Sequence, residues 1–150
     1  MVRIRSAFAL LTLVVLATTL PATSDAKGRP TGGGNGALQL TADQVVPGPG
    51  DAGASASMTV KINHDSVSFA TTVTNTAGYI RSIAIYQGWA GQTGPFVVRL
   101  CPSPIGIAQL NGTVPLSSDL CRAISRNPGA YYVEIRTDLY PIGALRAQLR

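Results

Sequence analysis

From residue 37 onward, apolar and polar side chains alternate along much of the chain, the period of a strand with one face buried. Leu38, Leu40 and Ala42 interleave with Gln39, Thr41 and Asp43, which predicts a first strand starting near Ala37 and stopped by Pro47, Pro49 and Gly50. From Gly53, the set Ala54, Ala56, Met58, Val60 and Ile62 points one way and Ser55, Ser57, Thr59 and Lys61 the other. Asn63 to Ser66 supplies turn residues, and Val67, Phe69, Thr71 and Val73 return along the same core, so the two runs make a hairpin.

Thr76-Ala-Gly78 turns the chain into a strand from Ile80 to Gln87, with Ile83 and Ile85 on one face and Ser82, Ala84 and Tyr86 on the other. The glycine-rich stretch Gly88 to Pro95 connects to a strand with Phe96, Val98 and Leu100 as its apolar set. Trp89 in that connection is expected to plug the end of the fold rather than to stand exposed. Pro102 to Leu120 reads as a long loop with one short strand around Ile105 to Leu110, followed by a short helix from Asp119 to Ser125, capped by Ser117 or Ser118 and ended by Pro128-Gly129. Tyr131, Val133 and Ile135 then alternate with Tyr132, Glu134 and Arg136, and Leu145, Ala147 and Leu149 with Arg146, Gln148 and Arg150. Between them Tyr140-Pro141 and Gly143 make a corner, with Gly143 free to take positive φ. Roughly seven short strands with at most one short helix predict an all-β protein, an antiparallel Greek-key β-sandwich, with a Greek-key barrel as the alternative closure.

The segment before residue 37 has a different character. Arg3 and Arg5 precede an apolar run from Ala7 to Leu20, and Ser24-Asp25-Ala26 offers small residues to a signal peptidase, so residues 1–26 read as a secretory signal peptide. Residues 27–36 form a glycine-rich linker, and residues 37–150 one domain. After cleavage no stretch is long and apolar enough to span a membrane. The 12 Lys and Arg residues outnumber the 7 Asp and Glu residues, a net charge of +5, but after the leader the positives are scattered singly, with only Lys27 and Arg29 close together. Nucleic acid is therefore not an expected partner, because a binding surface for it needs clustered basic residues.

Cys101 and Cys121 follow a leader for an oxidising compartment, so a disulfide between them is expected; closing that loop restricts the unfolded chain by about 3 kcal/mol. His64, the sole histidine, lies at a hairpin tip as a solvated turn residue. No Gly-x-Ser-x-Gly elbow or phosphate loop occurs. The aspartates Asp43, Asp51, Asp65, Asp119 and Asp138 fall at turns or strand ends, where solvated carboxylates are the norm. Asn111-Gly-Thr113 is a glycosylation sequon in an exposed position.

Three stretches resemble the chordin-type (CHRD) domain family. They are Leu40 to Pro47 followed by Asp51-Ala-Gly53-Ala, then Ile80 to Leu100 with Gly88, Gly91, Gly94 and Pro95, and the closing run from the tyrosine-valine strand to Ala144-Leu-Arg-Ala-Gln-Leu149. The resemblance covers about Leu38 to Leu149 and implies an extracellular domain of sandwich type. The family usually has glutamate where this chain has Val45. It also places a His-Ile-His triplet where this chain has Ala84-Ile85-Tyr86, and a third histidine at Arg136, so the resemblance implies a vacated site at Ala84, Tyr86 and Arg136. A Tyr86 to Arg136 stack, contributing about 1 kcal/mol, is expected to fill it.

The chain is thus expected to be a secreted, non-enzymatic domain in extracellular binding or envelope structure, partnered by an extracellular protein or envelope component that the sequence does not identify. Neither a catalytic residue, a metal ligand nor a cofactor is expected. The alternative is an enzyme or metal protein on a Greek-key sandwich of superoxide-dismutase type, which one turn histidine cannot furnish with an imidazole cluster.

Overall fold

The structure is a computed structural model that describes residues 36–101 and 109–150. Among the described residues, eight strands form two antiparallel sheets. The first sheet takes β1 (Gly36–Leu40), β2 (Ser55–Ile62), β3 (Ser66–Thr74) and β6 (Gln109–Pro115) in that spatial order. The second takes β5 (Phe96–Cys101), β4 (Ile80–Gln87), β7 (Tyr131–Thr137) and β8 (Leu145–Gln148). The chain crosses between sheets after β3, after β5 and after β6, and β3 pairs with β6 rather than with β4, a Greek-key route. One edge is tied by an isolated antiparallel bridge in which the Thr41 and Arg146 amides each donate to the other's carbonyl, at 3.0 and 3.1 Å. The expected signal peptide, the expected linker up to residue 35 and the first part of the expected long loop, with most of its short strand around Ile105 to Leu110, lie outside the described residues.

The alternating sets form the core. Leu38, Leu40, Met58, Val60, Val67 and Phe69 from the first sheet meet Ile83, Ile85, Val133, Ile135 and Leu145 from the second. Each such side chain removed from water contributes about 1.5–3 kcal/mol before chain entropy is counted. The short helix α1 (Ser118–Arg126) buries Cys121 and Ile124 at one end of the sandwich, and Ser117 caps it by accepting from the Leu120 amide. The expected cap and stop are both present, the stop as a 3₁₀ turn at Pro128–Ala130.

Four readings need correction. Residues 109–115, expected to be mostly loop, form the full strand β6, whose inward set is Leu110, Gly112 and Val114. Gly112 breaks the apolar signal, yet it is needed there, since a Cβ at that position would lie 3.2 Å from the Phe69 ring. Gly143 keeps an ordinary φ; the glycine is required because a Cβ would meet Val45 Cγ1 at 2.8 Å and the Glu134 carboxyl at 3.2 Å. Asp51 is buried rather than solvated: its carboxylate accepts from the Gly53 amide at 3.2 Å and the Ala77 amide at 2.6 Å, tying the β1–β2 connection to the β3–β4 turn.

The fourth concerns the cysteines, which no disulfide joins in this structure. Cys101 ends β5 opposite Ile83 in the second sheet. Cys121 lies on the helix, its Sγ turned to the carbonyls of Ser66 and Leu116 at 3.9 and 3.8 Å. Both are buried, and burial pushes the Cys121 thiol above its ordinary pKa, against the Ser66 contact. His64 is an exposed turn residue, as its position between β2 and β3 implied. Asn111 is exposed on β6 opposite Ala70, with Thr113 Oγ1 3.0 Å from Ser68 Oγ.

Candidate functional site

The second sheet has two buried faces. Its inner face carries Ile83, Ile85, Val133, Ile135 and Leu145. Because side chains alternate across a strand, the outer face receives Ala84 and Tyr86 from β4, Tyr132, Glu134 and Arg136 from β7, and Arg146 and Gln148 from β8. Register sets their neighbours: Ala84 lies opposite Glu134 and Glu134 opposite Arg146, while Tyr86 lies opposite Tyr132 and Tyr132 opposite Gln148.

The three positions singled out by the sequence are brought together. Ala84 and Tyr86 are buried, and the Arg136 guanidinium lies over the Tyr86 ring at 4.8 Å, the expected stack. The stack continues further than the sequence indicated. The Tyr86 ring is parallel to Tyr132 within 15° at 5.4 Å, and the Arg146 guanidinium lies 3.5 Å from the Tyr132 ring centre. Arg136, Tyr86, Tyr132 and Arg146 thus form one row with a cation at each end. Phe96 closes the side of Tyr86 edge-on at 5.9 Å.

Glu134 and Arg146 are each 1 % exposed, although the alternation of β7 and β8 placed both on the polar face. Glu134 Oε1 accepts from Arg136 Nε at 2.7 Å. Burial raises the Glu134 carboxyl above the ordinary carboxylate range, against Arg136's hydrogen bond and charge and the charge of Arg146. Burial likewise raises the Tyr86 phenol, chiefly opposed by Arg136. It lowers Arg146 from its high ordinary value, a group that nevertheless keeps its charge in proteins.

Two segments cover this layer. The β4–β5 connection crosses it, and the Trp89 carbonyl accepts from Arg146 Nη2 at 3.0 Å. Gln148 Nε2 fastens the start of that connection through the Gly88, Gly129 and Tyr131 carbonyls, at 2.6 to 2.9 Å. The residues after β1 form the second cover, where Val45 is buried over Gly143 and Glu134. The Trp89 side chain does not plug the fold; it is 52 % exposed, and the inward hydrogen bond is made by its backbone carbonyl.

Sequence reasoning missed Tyr132, Glu134 and Arg146 as members of the site. The available signal was that the chain's single glutamate stands one register position from two arginines, Arg136 and Arg146. Chemically, the row is a filled and cross-linked version of the expected vacancy. Its anionic donor, Glu134, is already held by a guanidinium, and two fixed positive charges repel a metal cation.

The ends of this sheet carry exposed apolar side chains. Tyr79, Leu139 and Ile142 are 65 %, 65 % and 59 % exposed on the two turns at the Ile80 end of β4. Those turns are bound together: the Tyr79 amide donates to Asp138 Oδ1 at 2.8 Å and the Asp138 amide to the Tyr79 carbonyl at 3.1 Å.

Comparison with protein families finds a match to the CHRD domain over residues 37–149. Comparison with curated proteins and with solved structures finds no match.

Proposed function

Because the chain belongs to the CHRD domain family, we propose that it is a secreted, non-enzymatic domain that binds an extracellular protein or envelope component through the exposed apolar end of its second sheet. Tyr79, Leu139 and Ile142 carry this reading. They make no contribution to the core, yet hydrogen bonds between their turns hold them in place, so little ordering entropy opposes a contact made there. Aromatic and aliphatic anchors on rigid turns are the chemistry of a protein-binding surface. CHRD domains occur in extracellular proteins, and the leader read in residues 1–26 agrees with that compartment.

Expression of the full chain with its own leader, followed by N-terminal sequencing of the exported product, tests the compartment; a product beginning at Lys27 is expected, and retention of the uncleaved chain inside the cell contradicts it. The exported protein, immobilised, is then expected to retain a saturable protein partner from its own extracellular medium or envelope. The double variant Tyr79→Ser, Leu139→Ser is expected to lose that partner with its circular dichroism unchanged. Retention by the variant, or turnover in a substrate panel that follows the purified protein, would overturn the reading.

A further inference from the structure

We propose that Arg146 forms the floor of a binding site for a small monocarboxylate. The site is separate from the apolar end discussed above. The guanidinium is buried and permanently charged, and its surroundings leave it short of acceptors. Nη2 is spent on the Trp89 carbonyl, while Nη1, also buried, has no hydrogen-bond partner among the described residues. Glu134 does not meet that need, because its hydrogen bond goes to Arg136. Within the buried row, one carboxylate therefore faces two guanidiniums, and its hydrogen bond goes to the one other than Arg146.

Beside this guanidinium lies a cavity of about 120 Å³ between the two covering segments, with Arg146 and Gln148 in its lining and Asp43, Gln44, Ala90 and Gly91 around it. That space is enough for an organic acid the size of acetate. Tyr132 occupies the guanidinium's face, so a ligand approaches its edge, where a planar carboxylate matches the N–H groups. Asp43 is exposed and adds a negative charge to the same lining, which disfavours a dianion. The carboxylate can be free or the end of a short chain.

Titration of the ¹⁵N-labelled, exported protein with sodium acetate at constant ionic strength, balanced by sodium perchlorate, tests the site. Saturable shifts are expected at Ala90, Gly91, Gln148 and the Arg146 side-chain Nε–H, with a weaker response to phosphate at neutral pH. N-acetylglycine separates the two sources: shifts as large as with acetate assign the site to a chain end, and their absence to a free small acid. Ala90→Leu fills the cavity without touching the charge and is expected to abolish the shifts while leaving the rest of the spectrum in place. Arg146→Gln is expected to do the same if it folds. The absence of a saturable shift with acetate, shifts that persist in Ala90→Leu, or a preference for phosphate overturns the assignment.

Discussion

Glu134 sets the pH response of the site. Its carboxyl is raised by burial more than Arg136 and Arg146 lower it. The folded protein therefore binds this proton more tightly than the unfolded chain, and stability from the neutral carboxyl is present below the ordinary carboxylate range and lost as pH rises through the raised folded value. Urea midpoints from pH 3.5 to 8 are expected to show Glu134→Gln gaining on the parent protein as pH rises; a constant or narrowing difference contradicts the direction. Gly143 is the second sensitive residue. Gly143→Ala puts a methyl group 2.8 Å from Val45 Cγ1 and 3.2 Å from the Glu134 carboxyl, and the resulting overpacking is expected to cost about 1–3 kcal/mol in chemical denaturation. A loss below a few tenths of a kcal/mol would mean that the cover over Glu134 yields freely.

Among the elements, α1 illustrates what local sequence can specify. Ser117 supplies its cap, Asp119 lies in its first turn and Arg126 in its last, each where the helix termini favour it. Ser117→Ala is expected to lower stability by about 1 kcal/mol, read from the urea midpoint, and an unchanged midpoint would show that the Ser117 contact at 3.4 Å contributes nothing. The hairpin β2–β3, the helix and the inward sets of β7 and β8 were legible because each is written in a run of neighbouring residues. β6 was not, since Gly112 interrupts its apolar set and its identity comes from pairing with β3. The burial of Tyr132, Glu134 and Arg146 was not legible either. Alternation states that two faces differ, but the cover over the second face is supplied by residues far away in sequence, Val45 and Trp89. The Tyr86–Arg136 stack was accessible because it needs only the faces of two strands, whereas the shortage of acceptors at Arg146 depends on where Glu134 directs its one hydrogen bond.

At the scale of the molecule, the Thr41–Arg146 bridge has a mechanical consequence. The bridge is antiparallel, so moving back from Thr41 to Gly36 and forward from Arg146 to Arg150 leads to the same end of the sandwich. A load applied between residues 36 and 150 peels the two segments apart at this one bridged pair, whereas a load between residues 77 and 150, at opposite ends, must shear the strands along their length. Single-molecule pulling is expected to give a lower rupture force for the first pair of attachment points than for the second; equal forces would mean that the seam does not govern opening. Tyr79, Leu139 and Ile142 lie at the far end from residues 36 and 150. A tether at either residue would hold the domain upright, with its apolar tip one sandwich length away from the point of attachment and facing outward.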